Sequence, residues 1–242
     1  MITGKEIREQ LYESPVQFVE DRPNNIHEYW LGFGTLQGVT TILKNVIFYD
    51  KYSDIDPAVL RRAADRGTAI HEAVQAYLDG QPQPACAPEF AAVVFAAVES
   101  FRMFQQTTKA GTWQHVASEY MVSNEEDIAS KVDLIEAEQT PDGNHDLILV
   151  DIKTTSELDE EYLSWQLSVY KVLFENQNGF GTWNNVRLYA YWYDIPHNSW
   201  SLVPIRFKGV DAVRDLIQAF RDGEMWDWSK AISYKGEYLE TT

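Results

Sequence analysis

Ile128-Ala129-Ser130-Lys131-Val132-Asp133-Leu134-Ile135-Glu136-Ala137 and, after a polar turn, Asp146-Leu147-Ile148-Leu149-Val150-Asp151-Ile152-Lys153 are short apolar runs bounded by turn residues. Such runs predict strands, and a third, residues 114–123, precedes them. Asn124-Glu125-Glu126-Asp127 and Thr140-Pro141-Asp142-Gly143-Asn144 supply the turns. Asp133 stands out, because an acid among Val, Leu and Ile is expensive to bury unless it is paired or bound to metal. Strand residues two apart share a face, so Asp151 and Lys153 point one way and Ile152 enters the opposite layer. A hairpin between 129–137 and 146–153 brings Asp133 near Asp151. Two carboxylates and an ammonium at one end of a sheet suit a hard cation. Oxygen ligands with few soft donors favour Mg²⁺ or Mn²⁺ over zinc.

Outward from this centre the pattern turns helical. Asp56-Pro57 reads as a cap and first turn, followed by Val59, Ala63, Ile70, Val74 and Tyr77 at helical spacing, with Gly67 as a candidate break. A second helix is expected from about 88 to 108, with Phe90, Val94, Ala97, Phe101 and Phe104 as its buried stripe. Residues 159–176 are apolar almost all round, which predicts a buried helix packed on a sheet. Val186–Tyr193 and Trp200–Phe207 read as two more strands, and about 209–222 as a last helix. Residues 1–50 are mixed; Val39-Thr40-Thr41-Ile42-Leu43 suits a strand or a capped helix start. The order α-α-β-β-β-α-β-β-α predicts one mixed α/β domain over 1–242. Its core lies at about 57–207, with an N-terminal elaboration (1–55) and a C-terminal helix and tail (208–242).

The chain has 242 residues, 45% of them hydrophobic, enough for a real core. Its formal charge of −17 excludes a scaffold that coats nucleic acid through bulk positive charge. Between Ala117 and Glu161 there are fourteen acids and two lysines, so the strands and the turn after them hold most of the negative field. A bound divalent cation would cancel part of it. One cysteine, Cys86, rules out a disulfide framework and a four-cysteine zinc or iron–sulfur site within the chain. The polar start and a longest apolar run of nine residues, Phe90 to Val98, lead to the expectation of a soluble, cytoplasmic protein without a signal peptide or membrane span.

Two helical features add to the centre. His71, in Gly67-Thr68-Ala69-Ile70-His71, sits one position past the apolar stripe. Gln166 and Tyr170 are spaced i, i+4 and share a face of the buried helix, where a Gln needs a hydrogen-bond partner or a ligand. Taken alone, His71 reads as a satisfied helix residue, Lys153 as a surface partner of an acid, and Gln166 and Tyr170 as packing. Glu72 is expected to face solvent or the arginines. Most tryptophans, among Trp183, Trp192, Trp200, Trp226 and Trp228, are expected in cores, and Asp142 to Asp146 as a hairpin turn rather than a calcium loop.

Together, Gly67-Thr68-x-x-His71, Asp133, Asp151-Ile152-Lys153 and Gln166-x-x-x-Tyr170, in that order and in an α-β-β-β-α context, resemble the PD-(D/E)XK nuclease superfamily. They resemble in particular its RecB-like branch of phage, recombination and mitochondrial genome-maintenance exonucleases. The match covers roughly residues 60–175. Val132 replaces the proline before the first acid, and the four-cysteine cluster of some relatives is absent.

The resemblance implies a restriction-endonuclease-like core with a central mixed sheet flanked by helices. It implies one or two Mg²⁺ or Mn²⁺ ions held by Asp133, Asp151, the backbone carbonyl of Ile152 and His71, with Glu119 as a further candidate ligand. Lys153 orients or deprotonates the attacking water, which asks for a modest fall from its reference pKa of about 10.4. Gln166 and Tyr170 hold nucleic acid near the cleaved phosphate, and Arg61, Arg62 and Arg66 line the approach to His71. The implied function is a metal-dependent DNA exonuclease of recombination, repair or replication, possible for a phage gene acting in a bacterial host. It leaves a 5′ phosphate and a 3′ hydroxyl. The partners implied are linear DNA with ends and a recombinase or single-strand-binding protein. The same residues serve a ribonuclease equally well. A rival from another class keeps the fold without catalysis and uses the acidity to bind a basic protein or mimic DNA.

Overall fold

The computed structural model describes residues 2–21, 26–49, 51 and 53–226. In chain order the helices are α1 (Gly4–Arg8), α2 (Val39–Val46), α3 (Pro57–Leu78), α4 (Ala91–Thr107), α5 (Glu160–Asn178) and α6 (Val210–Asp222). The strands are β1 (Gln17–Asp21), β2 (Ile26–Leu31), β3 (Gly34–Gly38), β4 (Gln114–Ser123), β5 (Ile128–Gln139), β6 (His145–Lys153), β7 (Asn185–Asp194) and β8 (Ser199–Pro204). The expected elements from Pro57 onward are all present, with ends shifted by a few residues. The largest shifts are at the start of α4, at Ala91 rather than about 88, and at the end of the last strand, at Pro204 rather than Phe207.

β5 is the spine. β4 covers one of its edges, antiparallel. The other edge is shared. β6 pairs with it from Gln139↔His145 to Leu134↔Val150, and β3 pairs in parallel only at Gln37↔Ile128 and Gly38↔Ala129. The sheet therefore forks at residues 130–133. β1, β2 and β3 continue on one arm, and β6, β7 and β8 on the other. Parallel pairing of β6 with β7 carries Asp151, Ile152 and Lys153 past the point where β6 leaves β5.

Each face of the sheet is covered, which explains why β6 is apolar on both sides. Leu147 and Leu149 pack with α5, α2 and α6, whereas Ile148, Val150 and Ile152 pack with α3 and α4. The expected opposition of Ile152 to Asp151 and Lys153 follows from this alternation. α5 is buried without interruption from Leu163 to Phe174.

Three local outcomes differ from, or decide between, the sequence expectations. Gly67 does not break α3, which Asp56 caps through the Ala58 amide at 2.7 Å and which runs on to Leu78. The glycine serves a close approach instead: a Cβ there would sit 3.0 Å from Thr154 Oγ1. Val39-Thr40-Thr41-Ile42-Leu43 is helix, with Gly38 at the cap. The first 50 residues, which carry no strong pattern, add α1, three strands and α2. Trp228 and the polar tail, within 227–242, lie outside the described residues.

Candidate active site

The fork is where the backbone ladder fails, and side chains take its place. Asp133 follows the β3-paired end of β5 and precedes Leu134, the last residue paired to β6. Its Oδ2 accepts the Ile152 amide at 2.8 Å, so a carboxylate substitutes for the next rung. The Tyr29 hydroxyl, from β2, bonds at Ser130 and the Lys131 backbone in the same gap. Burial first of all pushes that phenol up to about 12.

Four elements converge on one cleft of about 390 Å³. β6 contributes Asp151 and Lys153, whose Nζ lies 2.5 Å from Asp151 Oδ2. α3 contributes His71, with Nδ1 3.4 Å from Asp133 Oδ2. α5 contributes Gln166, whose Nε2 donates to Asp151 Oδ1 at 2.9 Å and to the Tyr170 hydroxyl at 2.8 Å. Ser130 Oγ donates to the same hydroxyl at 3.1 Å. Gln166 and Tyr170, expected at nucleic acid, both line the cleft; Gln166 holds Asp151 and Tyr170 holds Gln166.

Glu119 is more than a marginal neighbour. By the register on either side of it (Ser118↔Leu134, Tyr120↔Val132), it stands opposite Asp133. Its φ of 52° is in the left-handed region, a conformation that costs a non-glycine residue roughly 1–2 kcal/mol. The strain turns its carboxylate into the cleft, where Gln75 Nε2 donates to it at 2.7 Å and Lys131 forms an ion pair with it.

The electrostatics follow from depth. Asp151 keeps 2% of its side-chain exposure, against 18% for Asp133 and 25% for His71 at the mouth. Burial lifts the Asp151 carboxyl to about 6, with Lys153 pulling down and Asp133 pushing up. Burial likewise lifts Asp133 to about 6, against Lys153 and with help from Glu119. His71 is pushed down to about 4, by burial and then by the Lys153 charge, so its imidazole is neutral at pH 7. The modest depression expected for Lys153 is reversed. Burial lowers its pKa, but Asp151 and Asp133 outweigh burial and hold the proton on.

The donor set suits a hard cation. A buried carboxylate, Asp151, and a half-buried one, Asp133, share one ammonium, a neutral imidazole stands beside Asp133, and Asp151 Oδ2 meets the Lys153 ammonium. Among the described residues, however, no three His, Cys, Asp or Glu side chains are already drawn together as a metal cluster.

The remaining expected residues fall elsewhere. Arg61 and Arg62 line a second groove of about 1160 Å³, which shares Glu20, His27, Thr68 and Glu72 with the cleft. Arg66 lines neither. Glu72, expected at solvent or the arginines, lines that groove with Arg61 and Arg62 and also the cleft. Trp200 is core, and Trp192 donates to the Thr155 carbonyl at 2.9 Å. Reading the sequence for motifs passes over Gln75, Ser130 and Lys131. Gln75 is one helical turn past His71, and Lys131 is two strand positions before Asp133, so the spacing rules reach both.

A family model described as the PD-(D/E)XK nuclease superfamily matches residues 48–227. The chain belongs to that superfamily. The match extends beyond the 60–175 spanned by the motifs and takes in α2's neighbours, the last strands and α6. The fold agrees with it: a mixed eight-stranded sheet flanked by helices is the restriction-endonuclease-like arrangement. No curated protein matches the chain. The solved structure of SSO0001 is similar at 13% identity with a TM-score of 0.34, covering 80% of this chain and 78% of that one. Superfamily membership implies a nuclease. No helix among the described residues is long and apolar enough to cross a membrane.

Proposed function

We propose that the protein is a divalent-metal-dependent DNA exonuclease of the RecB-like type. The observation that carries the reading is the convergence of Asp133, Asp151, Lys153 and His71, from three elements, on one cleft at the sheet fork. Asp133, Asp151, the Ile152 carbonyl and His71 would hold Mg²⁺ or Mn²⁺, with Glu119 next to them. Such an ion supplies Lewis-acid polarisation of a phosphate and a lowered pKa for bound water.

The protein's own groups have separable tasks. Gln166 fixes the Asp151 carboxylate from behind, Tyr170 fixes Gln166, and Ser130 fixes Tyr170 in turn. Asp133 ties the Ile152 backbone to β5 and so sets the distance between the two acids. Lys153 stays protonated and presents a cation beside the reacting phosphate, stabilising the charge that builds there. In-line attack of water on phosphorus breaks the bond to the 3′ oxygen, which takes a proton from solvent and leaves as the hydroxyl; the water's proton goes to solvent and the phosphate stays on the 5′ oxygen of the next nucleotide. Arg61 and Arg62, in the adjoining groove, are placed to grip the strand outside the cleft.

Digestion of end-labelled linear DNA in Mg²⁺ or Mn²⁺ tests the reading, with Asp151→Ala and Lys153→Ala as controls. The expected result is nucleotide release from an end, abolished in both variants. Release that survives both substitutions sinks the site assignment. Cleavage of closed circular DNA at the same rate as linear DNA replaces the exonuclease with an endonuclease. No cleavage and no Mn²⁺ binding, with tight binding to a basic protein, favours the non-catalytic rival.

A further inference from the structure

We propose that Lys131 is a substrate-binding residue that takes a phosphate of the bound strand beside the Asp133 and Asp151 centre; the inference rests on the nuclease reading and extends it. The cleft is lined by five carboxylates (Glu20, Glu72, Glu119, Asp133, Asp151) and two ammonium groups, Lys131 and Lys153. Lys153, beside Asp151, is assigned to the reacting phosphate and leaves the flanking phosphates without a cation. A polyanion entering this cleft meets net negative charge, and a metal dication alone leaves the flanking phosphates of the strand unmatched.

Lys131 is built to meet one of them. It precedes Asp133 by two strand positions, lines the same cleft, and its charge acts on the Asp133 carboxyl. Its ammonium is held in place by two groups. The Phe18 ring lies under it, with Nζ 3.9 Å from the centroid, and Glu119 pairs with it. Phe18 is itself braced by His27, at 4.6 Å between centroids, and by Tyr29 at 5.1 Å. A cation resting on a ring face keeps its N–H donors free on the other side, and the restraint reduces the entropy lost on binding. The left-handed backbone at Glu119 has a reason in this arrangement: it turns an acid toward Lys131 that an incoming phosphate can replace.

The test is the salt dependence of binding. A short fluorescent oligonucleotide is titrated in Ca²⁺, from about 50 to about 200 mM salt, against wild type, Lys131→Gln, Lys131→Arg and Phe18→Leu. Loss of one phosphate contact flattens the slope of log K on log salt by about 0.7 to 0.9. Lys131→Gln is expected to show that flattening with about tenfold weaker binding, and Lys131→Arg to keep the wild-type slope. Phe18→Leu keeps both charges, so it weakens binding about two- to fivefold at unchanged slope. A folded Lys131→Gln protein with wild-type affinity and slope overturns the proposal. Amine acetylation of the wild-type protein, read by mass spectrometry, gives a second answer without any variant. Bound oligonucleotide should protect Lys131, and equal labelling with and without it overturns the assignment. Wild type that hydrolyses DNA while Lys131 fails both tests removes Lys131 alone. Wild type that neither binds nor hydrolyses removes the nuclease reading, and Lys131 with it.

Discussion

The two ends of β5 and β6 both bury acids, and they treat them differently. At the far end Glu138 pairs with Arg187, which is 3% exposed and also lies 3.2 Å from Asp146. Asn184 donates to Asp146 at 2.8 Å, and His115 bridges Glu136 and Asp79. Four carboxylates there share two cations, Arg187 and His115, and one amide. At the fork Asp133 and Asp151 share Lys153, and the third carboxylate, Glu119, pairs with Lys131, but all three acids line one cleft. Buried charge that is matched by the protein reads as architecture. Charge that lines a cleft is within reach of a ligand from outside, and with carboxyl pKa values lifted it marks a working site.

The largest expected effect breaks the fork. Asp151→Asn is nearly isosteric, keeps the Gln166 contact and removes one of two carboxylates that share Lys153. Nuclease activity should fall by at least about 10³-fold, while the melting temperature in metal-free buffer stays level or rises. A variant that loses both activity and stability would make Asp151 an architectural acid and erase the contrast between the ends. The mirror experiment is Arg187→Met. It strands the buried Asp146 and leaves the half-buried Glu138 without its cation, and should cost about 3 kcal/mol in a denaturant titration. Activity per folded molecule should be retained, because no fork residue loses a partner.

Much of this contrast was legible in the sequence, and the reason is physical. Asp133 and Asp151-Ile152-Lys153 are conspicuous because their neighbours are Val, Leu and Ile, and strand parity then assigns the faces. α5 announced its burial by lacking a polar face. The fork itself was not legible. β3 attaches to β5 through only two residue pairs, so the N-terminal strands leave almost no local pattern, and their contribution to the cleft, Phe18 and Tyr29, is set by tertiary contact. The left-handed backbone at Glu119 was equally hidden, since glutamate carries no preference for it. Lys153 shows the limit of a motif. Its presence was readable, but the direction of its pKa depended on two carboxylates whose distances only the fold supplies.

Gly67 sharpens the comparison at smaller scale. It sets how closely α3, which carries His71, approaches the end of β6. Helix propensity alone predicts that Gly67→Ala stabilises by up to about 1 kcal/mol. The 3.0 Å approach to Thr154 Oγ1 instead forces the neighbour or the helix to move by a few tenths of an ångström. Activity should fall roughly three- to tenfold with stability little changed, and Thr154→Ala in the same chain should restore part of it. Full activity in Gly67→Ala would show that the fork tolerates slack in α3.

The smallest effect belongs to the matched end and concerns pH. His115 sits between Glu136 at 3.3 Å and Asp79 at 2.9 Å, with Ser118 beside it. Burial lowers its pKa, but hydrogen bonds and charge from Glu136 and Asp79 prevail, and the net shift from 6.5 is upward. A group whose folded pKa is raised binds its proton more tightly in the native state. Its contribution is therefore complete below the unfolded value of about 6.5 and is lost as pH rises through the folded value. The stability gap between wild type and His115→Gln should be widest at acid pH and should close on the alkaline side. Denaturant titrations of both proteins across that range measure it. A gap that instead grows with pH would mean that neutral His115 is the stabilising form, and that Glu136 and Asp79 do not hold its proton.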